Sequence, residues 1–289
     1  MTEVCDAAVE RACAAGVCGV LLAGVDAPGW RDAAQLRDRI GRRMDVALAY
    51  GVHPQVVSAL AAQPASGSGA GSMLDEQLQA LMRAARGEPL SPGEPALPRP
   101  QAIGELGLHG ADTGDVAAES QERAFRAQLA LARELDLPLV LHIVRAHGPA
   151  LRMLQSDGVP RAGGVVHSYS GSAELVADYL RLGLHLSFAG PVTRPDARRV
   201  QAAAQRVPMA RLLVETDAPD QTPWSRRPAA CEPAFLPDII EALALHRGES
   251  GSALALATEQ NARRLFGLEN NSISDPAPSH PPGRAPWSP

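Results

Sequence analysis

Short apolar segments alternate along the chain with amphipathic, helix-like segments. The apolar segments lie at about residues 17–24, 45–52, 102–108, 138–144, 164–169, 184–190 and 211–217. Strands that are buried on both faces have such continuous apolar runs, so this order predicts a parallel sheet covered by helices. Seven strand–helix units predict a TIM-type (β/α) barrel. A doubly wound open sheet also fits the order, but no G-x-G-x-x-G motif follows the first strand.

The strand count falls one short of a closed barrel, which has eight strands. The chain instead opens in a predicted helix over residues 2–15, as though the first strand were missing. We expect the barrel to occupy residues 1–268, with a flexible insert at about 63–100 that contains one amphipathic helix, "MLDEQLQALMRAAR". Residues 269–289 are rich in proline and poor in apolar side chains, and we expect them to be disordered.

Composition and charge narrow the possible environments and partners. All 27 basic residues are arginine and the net charge is −5, so a broad basic surface for coating nucleic acid is not expected. Neither a membrane-spanning apolar run nor a signal peptide is predicted. The four cysteines show no disulfide or metal spacing, which favours a reducing cytoplasm, and no obligate protein partner is evident.

Ionisable side chains interrupt four of the apolar segments at or near their carboxyl ends: Glu105, His142, His167 and Asp217. That end of a parallel barrel carries the active site. Ionisable groups beside apolar strands are costly unless they are paired or coordinated, so two carboxylates and two imidazoles predict a divalent-metal site. The alternatives are hydrogen-bonded core histidines and a Glu105 that caps the following helix.

The last strand carries a second acid, Glu215. Glu215 and Asp217 are two residues apart, so on a strand both would point to one side, about 6–7 Å apart, with Glu215 one layer deeper. A deep carboxylate is hard to keep ionised without a nearby cation or hydrogen-bond donor.

Six segments, in this order, resemble the motifs of the TatD family of metal-dependent deoxyribonucleases. They are GVHP (51–54), AIGELGL (102–108), LPLVLH (137–142), VVHSYSGS (165–172), LLVETDAP (212–219) and NARRLFGL (261–268). The resemblance covers about residues 1–268 and implies a barrel that hydrolyses phosphodiester bonds of DNA with up to two divalent metal ions, which could be Mg²⁺, Mn²⁺, Zn²⁺ or Ni²⁺.

The resemblance also implies a role for each matching residue. Glu105 would bridge two metals, and His142 and His167 would complete one of the two sites. Asp217 would bind the other metal and act as the catalytic group that orients or deprotonates the attacking water.

Two further positions are expected to contact substrate rather than metal. His53 follows the second predicted strand, and Arg145 follows His142 by three residues, where many family members have H-S-R. Arginine suits bidentate phosphate contact.

The sequence departs from the family in two places. The family's D-x-H-x-H motif is absent, which suggests a sequence that begins 10–20 residues late; the alternative is a variant with an incomplete barrel and at most one metal. Either way we expect low solubility or weak activity. His109 stands where the family has Asp, and we expect it to support a ligand or lie at the surface. The remaining histidines are expected to be structural or exposed: His147, His185, His246 and His280.

Because one barrel supports many reactions, two other functions remain open. One is hydrolysis of a different ester or amide. The other is a non-catalytic paralogue with an incomplete metal site.

Overall fold

A computed structural model describes residues 2–66, 71–110 and 115–268. Its strands are β1 (Gly19–Gly24), β2 (Asp45–Tyr50), β3 (Ala102–His109), β4 (Leu139–Val144), β5 (Gly164–Val166), β6 (Leu184–Phe188) and β7 (Leu212–Val214). Its helices are α1 (Thr2–Ala14), α2 (Ala27–Ile40), α3 (Pro54–Ala61), α4 (Met73–Arg86), α5 (Asp115–Leu135), α6 (His147–Asp157), α7 (Val176–Arg181), α8 (Arg198–Arg206), α9 (Leu236–Arg247) and α10 (Gly251–Phe266).

The strands form one parallel sheet in chain order, from β1 to β7. The sheet curls into a partial barrel with helices around it, which confirms the predicted fold class and the seven strands. Within the described residues no strand pairs with the outer edges of β1 and β7. The barrel is therefore open between these two strands.

The two faces of the sheet pack into different apolar clusters. Leu48 and Tyr50 of β2 belong to the large cluster under the surrounding helices, whereas the alternate residues Ala47 and Ala49 belong to a smaller one. That smaller cluster also holds Phe266 of α10. Residues alternate between the faces of a strand, so Ala47 and Ala49 lie on the same face. Their small side chains leave room for the aromatic ring.

Four strands end two or three residues sooner than the sequence predicts: β2, β5, β6 and β7. β5 ends at Val166 and β7 ends at Val214, so His167, Glu215 and Asp217 follow their strands rather than close them. Asp217 has φ 54°, which lies in the left-handed region and breaks the alternation of a strand. The inference that Glu215 and Asp217 share one side of a strand is therefore wrong.

The helix predicted inside the insert is present as α4. Ser72 and Asp75 form a capping box at its start, and Gly87 ends it in the left-handed conformation. Leu74 and Leu81 are buried against the rest of the domain. The flexibility of the segments around α4 stays a prediction, and the predicted tail at 269–289 lies outside the described residues.

None of the helices in the described part of the chain is both long enough and apolar enough to cross a lipid bilayer.

Candidate metal centre

The four predicted site residues meet at the carboxyl ends of neighbouring strands. Val166 pairs with Leu141 between β5 and β4, and the N–H of His167 donates to the carbonyl of Leu141. This register sets His167 beside His142, with Nε2 of His167 3.0 Å from Nδ1 of His142. Glu105 lies on β3, next to β4, at the point where the β3–β4 register shifts by one residue.

Glu105 is the centre of this cluster. Its Oε2 atom lies 3.3 Å from Nε2 of His53, 3.2 Å from Nε2 of His167 and 3.9 Å from Nδ1 of His142. Two groups of three side chains share Glu105, one with His53 and His142 and the other with His167 and Asp217. In each group the ligand atoms lie within 4.8 Å of one another.

The cluster keeps both Glu105 and His142 deprotonated at neutral pH. Burial alone would raise the pKa of Glu105, but the charges and hydrogen bonds of His167 and His53 outweigh it and hold the pKa well below its ordinary range. Burial, followed by the neighbouring imidazoles of His53 and His167, lowers the pKa of His142 to about 3. Glu105 is therefore ionised and His142 neutral at pH 7.

His167 lies between two carboxylates. Its Nε2 atom faces Glu105, and its Nδ1 atom lies 3.5 Å from Oε1 of Glu215. Although burial opposes it, the negative charge of both acids raises the pKa of His167 well above its ordinary value. Glu215 is held in place by the backbone N–H of Ser168, which donates to Oε1. The site therefore stabilises positive charge at this position.

Asp217 completes the second group from the loop after β7. Burial raises its pKa, and the side-chain amide of Gln221 donates to Oδ2. The hydroxyl of Ser168 in turn donates to Oε1 of Gln221 at 2.6 Å. Gln221 thus connects the loop after β5 to the catalytic candidate Asp217, a link that the sequence motifs do not reveal.

The donor set fits a divalent cation. Neutral imidazole nitrogens and ionised carboxylate oxygens are the ligands that Zn²⁺, Mn²⁺ and Ni²⁺ accept, and carboxylates also suit Mg²⁺. Because the charge of Glu105 and Glu215 holds a proton on His167, the same charge would stabilise a bound metal ion.

His109 is a site residue whose place sequence reasoning left open. Its Nδ1 atom lies 3.0 Å from Nε2 of His142, and the two rings stack with centroids 5.3 Å apart. The side chain of Gln121 holds the backbone of His109, accepting from its N–H at 2.8 Å. The sequence does indicate that His109 lies near the site, because Glu105 and His109 are four residues apart on one strand and so share a face.

The other predicted residues lie around this centre. His53 caps the start of α3, where its Nδ1 atom accepts from the N–H of Gln55, so its Nε2 atom is free to face Glu105. Arg145 is exposed directly after β4, and within the described residues it forms no ion pair. His147 and His185 are buried in other parts of the fold, His246 lies in the last turn of α9, and His280 lies outside the described residues.

Comparison with known proteins decides the family. The sequence model of a family described as "TatD related DNase" matches residues 1–267. The chain belongs to this family. A relative named 3'-5' ssDNA/RNA exonuclease TatD, from Klebsiella pneumoniae, is 34% identical over 275 residues, which cover 93% of this chain and 94% of the relative.

A second relative and a solved structure are also similar to this chain. The uncharacterized metal-dependent hydrolase YabD of Bacillus subtilis is 34% identical over 165 residues, which cover 57% of this chain and 64% of YabD. The crystal structure of YJJV, a TatD homologue from Escherichia coli K12, superposes with a TM-score of 0.75 at 27% identity and 91% coverage of both chains. The chain is thus a TatD-family member of the metal-dependent hydrolase class.

Proposed function

We propose that this TatD-family chain is a metal-dependent phosphodiesterase that degrades DNA. The observation that carries the proposal is the position of Glu105, whose carboxylate faces three imidazoles and shares one of two ligand groups with Asp217. The TatD relatives, one of them named a 3'-5' ssDNA/RNA exonuclease, support DNA as the substrate.

Glu105, His142, His167 and Asp217 would hold the metal. When bound, a divalent ion lowers the pKa of water and stabilises negative charge on phosphoryl oxygens. We expect at most one ion per chain, because this sequence lacks the family's D-x-H-x-H motif.

The chain's own residues would bind substrate and move the proton. Asp217 would orient the attacking water and accept its proton, and the amide of Gln221 fixes this carboxylate through Oδ2. Arg145, exposed and without an ion pair in the described residues, would bind a phosphate of the DNA. His53, whose Nε2 atom lies 3.3 Å from Oε2 of Glu105, would hold this carboxylate in place beside the substrate.

The test is a hydrolysis assay on single- and double-stranded DNA with Mg²⁺ or Mn²⁺, together with metal analysis of the purified chain. We expect the wild type to bind metal and to cleave DNA. Glu105→Gln should abolish both, because it removes the charge that the two ligand groups share. Glu134→Gln, which breaks an exposed ion pair with Arg86, is the matched control and should behave as wild type.

Two results would contradict the proposal. A wild type that binds no divalent metal would exclude this chemistry. If the wild type binds metal and cleaves another ester or amide but no DNA, its substrate belongs to a different class.

A further inference from the structure

A cavity lies outside the proposed metal centre, along one side of α9. It has a volume of about 520 Å³, and its walls include Trp224, Arg226, Asp238, Glu241 and Leu245. A cavity of this size can hold a ring the size of a nucleobase. None of the proposed metal ligands lines it.

Two large apolar side chains in this cleft are open to solvent. Trp224 is 50% exposed and Leu245 is 80% exposed. The guanidinium of Arg227 lies 5.5 Å from the centre of the Trp224 ring, and the backbone N–H of Trp224 donates to the hydroxyl of Thr193 at 2.8 Å. The backbone of Trp224 is therefore anchored and its ring contacts Arg227, while half of the residue stays exposed, as expected of a binding surface.

The loop that carries Trp224 also carries the residue that fixes Asp217. Trp224 follows Gln221 by three residues, so their Cα atoms are at most about 10 Å apart. This loop packs closely against Gly190, where a Cβ would come within 1.8 Å of the carbonyl oxygen of Gln221. The cleft and the metal centre are thus two ends of one ordered loop, and a polymer bound at one can reach the other.

The charges around the cleft favour different parts of a ligand at different positions. Arg226 is neutralised by Asp238, whereas Arg227 forms no ion pair with any carboxylate of the described residues. Glu241 is exposed inside the cleft, so it repels a phosphate there. An anionic group is therefore favoured beside Arg227, and an uncharged ring is favoured in the cleft.

We propose that Trp224 stacks a nucleobase of a single-stranded polynucleotide whose cleavage site lies at the metal centre, while Arg227 contacts a neighbouring phosphate. This inference rests on the proposed function and adds a base-binding subsite to it. Stacking on an aromatic ring accepts any base, because every base has a π face. Arg227 adds an attraction for the backbone that depends on salt.

The experiment measures binding without cleavage, in EDTA, with a fluorescent decathymidylate and an abasic strand of the same length. Trp224→Ala should weaken decathymidylate binding about 5- to 100-fold, and Trp224→Phe should restore most of it. Binding of the abasic strand should not change. Leu256→Ala, which truncates another exposed apolar residue, is the matched control and should bind as wild type.

Intrinsic fluorescence gives a second measurement. The chain has three tryptophans, and this measurement uses a Trp287→Phe background. Trp30 is fully buried, so quenching by decathymidylate in that background should come from Trp224 and should be lost when Trp224→Phe is added. Equal affinity of the wild type and Trp224→Ala for decathymidylate would overturn the subsite. So would equal losses for both strands, or a wild-type dimer that Trp224→Ala converts to monomer, since the ring would then face another copy.

A parallel assay with metal separates this subsite from the proposed function. A wild type that binds decathymidylate through Trp224 but cleaves no DNA supports the subsite and contradicts the hydrolase proposal. If the wild type and Trp224→Ala cleave DNA equally well and bind it equally well, the hydrolase proposal stands and the subsite is overturned.

Discussion

The imidazoles of His109 and His142 share a hydrogen bond, with Nδ1 of the first 3.0 Å from Nε2 of the second. This contact fixes the orientation of the His142 ring and leaves its Nδ1 atom on the side of Glu105. Groups that hydrogen-bond the far nitrogen of a metal-binding histidine typically contribute 10- to 100-fold to metal affinity. In the proposed metal site, His109 would act on His142 in this way.

Replacing His109 should therefore weaken metal binding. His109→Phe keeps the ring but removes the nitrogen that contacts His142, and we expect Mn²⁺ affinity, measured by isothermal titration calorimetry, to fall about 10- to 100-fold. His109→Asn retains a polar atom near the position of Nδ1 and should lose less. Equal affinity for His109→Phe and wild type would show that the hydrogen bond does not position His142.

Glu215 should support the site by its charge. It lies 3.5 Å from Nδ1 of His167 and accepts from the N–H of Ser168. Glu215→Gln keeps an acceptor for Ser168 but removes the charge, so metal affinity should fall about tenfold, and Glu215→Ala should lower it further. Glu232→Gln, in an ion pair with the exposed Arg11, is the control. A full wild-type affinity in Glu215→Gln would contradict this role.

Much of the fold was predictable because parallel strands buried on both faces leave a direct signal in the sequence. The seven apolar runs correspond to β1 to β7 within a few residues. The largest errors lie at the ends of β5 and β7, near which Ser168 and Asp217 adopt φ values of 43° and 54°. Such left-handed residues end a strand through local turn geometry, which apolar patterning does not record.

The centre of the site was predictable to the same extent. Glu105, His142, His167 and Asp217 interrupt apolar runs, and the structure brings all four together. The contact of Gln221 with Asp217 was not predictable, because Gln221 belongs to no apolar run and its partner is set by the path of the loop. The pairing of His109 with His142 needed the β3–β4 register, which shifts beside Glu105.

Stability should depend strongly on one buried arginine. The side chain of Arg247, only 6% exposed, donates to the carbonyls of Ala204 and Val207 and to Glu249, and so joins the end of α9 to the end of α8. Arg247→Ala would leave these acceptors unpaired and should lower the free energy of unfolding by about 2–4 kcal/mol.

An exposed ion pair provides the control for this prediction. Arg161 also pairs with a carboxylate, that of Asp136, but its side chain is 92% exposed. Arg161→Ala should therefore change the free energy of unfolding by less than about 1 kcal/mol in the same urea titration. Similar losses in Arg247→Ala and Arg161→Ala would contradict the role of the buried contacts.

Acid should destabilise the fold through two histidines outside the metal centre. Burial lowers the pKa of His147 and of His185 to about 4, and nearby arginines add to the effect. Nε2 of His147 and Nδ1 of His185 have no hydrogen-bond partner in the described residues, so neither ring gains from a second proton. In the unfolded chain both would titrate near pH 6.5.

Between pH 6.5 and 4 the unfolded chain therefore binds more protons than the folded one, so stability falls as the pH falls. The loss should be on the order of 1–3 kcal/mol for each histidine. His185→Gln cannot take up this proton, so its free energy of unfolding should fall less than that of the wild type between pH 7 and pH 4.5. An unchanged pH dependence in both His147→Gln and His185→Gln would show that these buried rings do not control acid stability.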